Sequence, residues 1–388
     1  MPQYRLSESF IVLATLAACS APPSSGFESS EKVERMEAQP AGQFGDAKTS
    51  GGDGASGGCV QDPSFYDVPG DGCDNDGDGE VDNTRSCDDS VGDTAEDFAR
   101  AIGICDKASE RGFGLVSATF TQGYGRTTAP KAVQHNVLPK FGDVLRPREG
   151  KMLGVLSTGI AEEFNGGRTP FADGKDHWMG RGDGALPPGF PKAAGSCPQS
   201  TEVHDVISLK LVLKAPKNAT GFRFDFDFFS SEWPEFICSR FNDGFIAYLS
   251  AKGFNDGNPD NISFDSKNNP VSVNNGFFDR CTPGTTTGCA GAKRETSVCP
   301  GGTAELAGTG FGLEARACNA VLGKKATQGG ATGWLTSQAP IEPGETFTLE
   351  LMIWDTGDGN LDSSVLLDNF QWLGGAVETK TERPADPK

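Results

Sequence analysis

Phe222-Arg223-Phe224-Asp225-Phe226-Asp227-Phe228-Phe229-Ser230-Ser231-Glu232-Trp233-Pro234-Glu235-Phe236-Ile237-Cys238-Ser239-Arg240-Phe241-Asn242-Asp243-Gly244-Phe245-Ile246-Ala247-Tyr248-Leu249-Ser250 is the stretch whose reading decides the fold. In its first third an aromatic residue returns at every second position, Phe222, Phe224, Phe226 and Phe228, with Arg223, Asp225 and Asp227 between them. Successive side chains of a strand point to opposite faces, so this period predicts a half-buried strand with its phenylalanines inward. A polar turn follows, and a second strand is expected from Asp243 to Ser250.

The same alternation recurs outward from this stretch. Ile207, Leu209, Leu211 and Leu213 share one face, and further strands are expected at Gly114–Thr121, Met152–Ser157, Phe347–Trp354 and Ser364–Trp372, separated by Gly, Pro, Asn and Asp clusters. The chain has 52 Gly, 24 Pro and 26 Phe, with little sign of long amphipathic helices. There is no internal repeat and no strand-helix alternation of the kind that makes a parallel sheet. Residues 110–375 therefore read as an all-β domain, a two-sheet β-sandwich of jelly-roll or lectin-like type with long loops.

Eleven cysteines are an odd number, and the first explains it. Cys19 closes Leu16-Ala17-Ala18-Cys19 behind the short apolar run Phe10–Ala18, the arrangement of a bacterial lipoprotein signal, so residues 1–18 are expected to be removed and Cys19 lipidated. The run is too short to span a bilayer, which needs about 20 residues. Ser20 at the next position favours the outer membrane or cell surface. The other ten, Cys59, Cys73, Cys87, Cys105, Cys197, Cys238, Cys281, Cys289, Cys299 and Cys318, read as five disulfides in an exported chain. Spacing leaves their pairing open. Residues 19–58, rich in Ser, Gly, Pro and charge, read as a flexible tether, 59–105 as a small stapled module, and 376–388 as a disordered tail. The net charge of -19 repels nucleic acid and anionic lipid and suits divalent cations, so the membrane is expected to be met through the lipid anchor only.

The sharpest chemical signal lies in the module, Asp74-Asn75-Asp76-Gly77-Asp78-Gly79-Glu80-Val81-Asp82-Asn83. Carboxylates at alternating positions, Asp74, Asp76 and Asp78, followed by Gly79 at a sharp turn, reproduce the first half of a calcium loop, with Glu80 offering its carbonyl and Asp82 a direct or water-borne oxygen. The twelfth position is Arg85, not the Glu of an EF-hand. The loop resembles the short Asp-rich, cysteine-flanked calcium repeats of extracellular proteins, such as thrombospondin type 3 repeats. A second acidic loop, Trp354-Asp355-Thr356-Gly357-Asp358-Gly359-Asn360-Leu361-Asp362, places three carboxylates behind an expected strand.

The opening stretch also resembles the bacterial choice-of-anchor L domain, in its aromatic strand, its Ser231-Glu232-Trp233-Pro234-Glu235 turn and its Phe241-Asn242-Asp243 triplet. The resemblance runs back to Gly154-Val155-Leu156-Ser157-Thr158-Gly159 and forward to Asp362-Ser363-Ser364-Val365-Leu366-Leu367, covering about residues 110–375. Trp233 departs from the family's usual residue at that turn. The resemblance implies a module carried by varied surface anchors, of which a lipidated cysteine is one. With it, Glu232, Asn242, Asp243, Asp355, Asp358 and Asp362 are expected to converge on a calcium site at one edge of the sandwich.

Catalysis has less support. His135, His177 and His204 sit in no metalloprotease helix pattern, and no nucleophile elbow occurs. Glu232 and Glu235 are the pair an extracellular polysaccharide-acting enzyme would use. Arg181-Gly182-Asp183 is a tripeptide that arises by chance. The expected function is a calcium-binding surface lipoprotein whose sandwich holds a glycan or a cell-surface protein, with Trp178, Trp233 or Trp334 stacking on sugar rings. The alternatives are that enzyme, or a calcium-stabilised envelope spacer.

Overall fold

A computed structural model describes residues 59–83, 85–89, 91–163, 184–315, 318 and 326–384. Cys19, the tether of residues 19–58, His177, Trp178 and Arg181-Gly182-Asp183 lie outside the described residues. All described residues belong to one compact unit, Gly57–Lys388.

Two antiparallel sheets make the sandwich. In the first, β1 (Gly114–Thr121), β4 (Val203–Lys214), β8 (Thr346–Thr356) and β6 (Gly244–Ser250) lie side by side in that order. In the second, the order is β10 (Lys380–Glu382), β7 (Leu335–Pro340), β5 (Gly221–Ser230), β9 (Ser363–Leu373), β3 (Leu153–Ser157) and β2 (His135–Leu138). The strands expected from alternation all form, and the core is the two inner faces they define. Phe222, Phe224, Phe226 and Phe228 of β5 and Ile207, Leu209, Leu211 and Leu213 of β4 belong to one buried cluster. Across the sandwich, Phe226 meets Phe245 at 4.9 Å between ring centroids and Phe222 stacks on Phe347 at 5.3 Å. Phe226 is fully buried, so Phe226→Ala is expected to cost about 3–5 kcal/mol, read as a lower midpoint in urea unfolding with an unchanged slope.

The half-buried expectation for β5 is corrected, because both of its faces are covered. Asp225 is 2% exposed and Asp227 fully buried. Asp225 accepts bonds from the Thr336 hydroxyl at 2.5 Å, Asn369 Nδ2 at 2.9 Å and Arg148 Nε at 3.2 Å, and Asp227 accepts the Thr332 hydroxyl at 3.2 Å. Alternation reports polarity, and a polar residue can be buried wherever distant segments bring it donors. A second apolar cluster covers the outer side of this sheet, where Phe229 packs on Phe141 and Phe311.

The expected disordered tail is corrected at its centre. Lys380–Glu382 adds an edge strand to β7, with Thr336 opposite Glu382. Arg383 then donates to the carbonyls of Thr332 and Phe277, each at 2.7 Å, and pairs with Asp279 at 2.8 Å. An edge strand is held through its backbone, so polar composition did not reveal it.

The cysteine-rich segment leads directly into the sandwich. Helix α1 (Ala95–Ala101) starts at a capping box in which Thr94 and Asp97 bond each other's backbone N–H. Its Phe98 and Ala99 enter the main core, and the Phe98 ring lies where a Cβ on Gly154 would come within 2.3 Å. The disulfides pair as Cys59–Cys73, Cys87–Cys105, Cys197–Cys238, Cys281–Cys299 and Cys289–Cys318. Cys281 and Cys289, close in sequence, thus belong to different, interlaced bridges.

Candidate functional site

Six strand ends meet at one end of the sandwich, and the registers require it. Ser363 lies opposite Ser230, Ser364 opposite Ser157, Trp354 opposite Gly244 and Thr356 opposite Val203. The strand ends carry Asp205 and Asp355, and the loops leaving them Thr158, Glu232, Asn242, Asp243 and Asp362, all buried. Residues more than 100 positions apart in sequence become neighbours here through antiparallel pairing alone.

Asp243 is the hinge of this cluster. Its Oδ1 accepts the Thr356 N–H at 3.0 Å and its Oδ2 the Ser363 hydroxyl at 2.7 Å, which ties the two sheets together. Thr356 Oγ1 donates to the Asn242 carbonyl at 3.0 Å and accepts Trp354 Nε1–H at 2.9 Å. Asn242 Nδ2 donates to Gln199 Oε1 at 2.9 Å, while its Oδ1 is buried without a donor. Neither carboxylate oxygen of the fully buried Asp355 has a hydrogen bond of good geometry, and Glu232 Oε2 likewise lacks one. Asp362 packs over Gly159, where any Cβ would sit 1.9 Å from its Oδ2. Asp358 is half-buried and caps its own turn, accepting the Asn360 N–H at 3.1 Å.

The electrostatics follow from burial without countercharge. Burial pushes the Asp243 carboxyl up to about 7, against the bonds from Ser363 and Thr356 that pull it down. Burial and the neighbouring Asp243, Asp362 and Asp205 hold Asp355 well above the ordinary range. Burial, then Asp243, Asp358 and Glu235, do the same to Glu232. Carboxylates so placed share protons or a cation; they do not all ionise unaided. The surrounding groups are hard oxygen donors of the kind calcium takes.

The Asp-rich loop is arranged differently. Asp67, Asp74 and Asp76 bring one oxygen each within 4.8 Å of one another, the closest acidic trio among the described residues. Asp74 Oδ1 accepts the N–H of Gly77 at 2.8 Å and of Asp78 at 3.1 Å, and its Oδ2 that of Gly79 at 3.1 Å. Gly77 and Gly79 take φ of 73° and 96°, the left-handed turn that the expected loop demands. Asp67 Oδ1 accepts the N–H of Asn75 at 2.7 Å and of Asp76 at 3.2 Å. Asp78 points away to Asn83 and to Arg85, each at 3.0 Å, and bonds to the Glu80 N–H, Asn83 and Arg85 hold it down at about 2. Asp82 accepts the N–H of Asp71 at 3.1 Å and of Gly72, and Glu80 accepts Asn83 Nδ2 at 3.2 Å. Arg111 pairs with Asp76 Oδ2, while Asp76 Oδ1 accepts the Asp78 N–H at 3.0 Å.

The family model of the choice-of-anchor L domain matches residues 154–371. The chain belongs to the choice-of-anchor L domain family. No curated protein and no solved structure matches the chain. The choice-of-anchor L domain makes this a cell-surface-associated protein, and among the described residues no helix is long and apolar enough to cross a membrane.

Within this choice-of-anchor L domain the structure sorts the expected residues. Glu232, Asn242, Asp243, Asp355 and Asp362 are brought to one end, with Asp358 at its rim. Asp74 and Asp76 come together, whereas Asp78, Glu80 and Asp82 turn to neighbours within the module. Asp67, Thr158 and Asp205 were missed; a lone Asp seven residues ahead of a loop carries no spacing signal, and Thr158 and Asp205 depend on the sheet registers. Trp233 is corrected as a sugar-stacking candidate, since it is 6% exposed and packs on Phe278 at 5.5 Å. Trp334 is half-buried against the outer apolar cluster.

Proposed function

We propose that this cell-surface protein is a lipoprotein anchored through Cys19 whose choice-of-anchor L sandwich is organised by calcium to hold a glycan or another surface protein. The observation that carries the reading is the trio Asp67, Asp74 and Asp76, whose oxygens lie within 4.8 Å of one another in a loop turned by two left-handed glycines. The buried Asp355 carboxylate, without a hydrogen bond of good geometry at the end of the sandwich, supports a second cation there. No three acidic oxygens at that end approach as closely as those of the loop, so asparagine and backbone oxygens complete its donor set. Bound calcium lowers the cost of ordering these loops, which preorganises the surfaces they form for a partner. The glycosidase alternative is disfavoured by the burial of Glu232, which is 3% exposed.

The test is calcium titration of the full chain by calorimetry, with thermal melts in calcium and in chelator. At 100 times the dissociation constant, one site stabilises by about 2.7 kcal/mol, and the melting temperature rises accordingly. Asp74→Ala is expected to remove the loop's share of the heat. Absence of both heat and stabilisation rejects calcium as the organiser.

A further inference from the structure

A cavity of about 170 Å³ opens where the Asp-rich loop meets the sandwich. Its size is that of a single ring, since a cavity of roughly 150 Å³ admits benzene. One wall is aromatic: Tyr66, Phe113, Phe370 and Trp372 line it, with Trp372 half-buried and set edge-on to Phe370 at 5.0 Å. The polar part of the lining comes mostly from the loop, through Asp67, Asp76, Asn83 and Arg85, with Asp106 and Glu149 completing it. An amphipathic ring fits such a space, its C–H face against the indole and its hydroxyls toward the carboxylates and amide.

The charges decide which ring. Asp106 lies 3.5 Å from Arg85 and 3.9 Å from Arg111, and Arg111 also pairs with Asp76. With Asp78, 3.0 Å from Arg85, and Asp74 of the adjoining trio, six carboxylates share two guanidinium groups, so the surroundings stay net acidic even with a divalent cation on the trio. Two members of that trio, Asp67 and Asp76, are themselves walls of the cavity. Any movement of their side chains toward a cation reshapes the space the ring would occupy.

We infer that this cavity is a cation-dependent site for one neutral pyranose residue, held between Trp372 and the Asp-rich loop. The inference rests on the calcium reading above and adds to it where the sugar sits and how the loop governs it. Linkage makes the effect reciprocal, so the sugar tightens calcium by the same factor as calcium tightens the sugar. Glu149, which lines the cavity, offers its carboxylate to a hydroxyl. An acidic sugar is rejected by the same wall.

The experiment titrates the full chain with the methyl pyranosides of glucose, galactose, mannose and N-acetylglucosamine, and with methyl glucuronide, by ligand-observed NMR in calcium and in chelator. At least one neutral pyranoside is expected to bind about tenfold more tightly in calcium, a change of about 1.4 kcal/mol, and the glucuronide to show no binding. Trp372→Ala and the milder Glu149→Gln are each expected to weaken that sugar while leaving the calorimetric calcium isotherm intact. Trp372 also touches Phe347 at 6.2 Å, so Glu149→Gln carries the test if the alanine variant does not fold. Calcium binding without binding of any neutral pyranoside overturns the cavity assignment and leaves the calcium reading standing. Equal sugar affinity in calcium and chelator also overturns it.

Discussion

Asp355→Asn is expected to raise the melting temperature of the calcium-free protein at pH 8 and to remove most of the stabilisation that calcium gives the sandwich. The sign is unusual for a fully buried residue, and it follows from what surrounds the side chain. Asp243, Asp362 and Asp205 all press against ionisation of Asp355, and the Thr158 hydroxyl, which pulls the other way, reaches neither oxygen in good hydrogen-bond geometry. An uncompensated buried charge costs about 3–5 kcal/mol, and an amide of the same shape avoids it. At roughly 2–4 °C per kcal/mol for a large domain, the gain is about 6–20 °C in chelator. In calcium the order reverses, because an amide offers one neutral oxygen where the cation had a carboxylate. Paired melts of wild type and variant, in chelator and in calcium, check both halves. A lower melting temperature for the variant in chelator would mean that Asp355 is already compensated.

Calcium-free protein is also expected to lose stability as pH rises from 5 to 8. Asp243 and Asp368 are each pushed up to about 7, mainly by burial, and Glu232 and Asp355 stand higher than usual. Unfolded, these groups release their protons near the ordinary values of 3.8 and 4.5. Between those values and the raised ones the folded state binds more protons, so unfolding free energy falls with pH. Their stabilising contribution is full below about pH 4 and lost as pH passes the raised values, at about 1.4 kcal/mol per unit for each group. Carboxyls held low by hydrogen bonds, such as Asp97 and Asp265, act in the opposite sense but only below their ordinary values. In the pH 5–8 window the raised set is opposed only in part by His135, whose imidazole burial holds below its ordinary value so that its contribution grows with pH, and the net fall is on the order of 10 °C in chelator. Calcium is expected to flatten the part owed to the end of the sandwich. Asp368 lies on β9 under the N–H groups of Arg148 and Glu149, so its part persists in calcium and disappears in Asp368→Asn.

How much was legible beforehand can be judged from particular residues. The phenylalanines of β5 announced their strand because a half-turn per residue puts them on one face, and the core they form is a local consequence of that period. The turns at Gly77 and Gly79 were legible for a similar reason, since the conformation they adopt is one that glycine takes without strain. Ten cysteines after Cys19 announced five bridges, but pairing is a statement about distance, and Cys281 with Cys299 was one of many possibilities. Asp225 and Asp227 looked like a solvent face because their donors, Thr332, Thr336 and Asn369, come from other segments of the chain. Trp372 appeared only as a strand residue, and the cavity beside it exists because the Asp-rich loop packs there.

Sequence by itself thus determined the class of fold, the strand set and the two acidic loops, because each depends on period, turn chemistry or composition within a few residues. Tertiary structure alone decided that Asp243 and Asp355 meet, that Asp67 joins Asp74 and Asp76, and that the tail returns as an edge strand. Those are contacts between segments far apart along the chain, and they arise only when antiparallel registers bring the strand ends together and burial sets the energy of each charge.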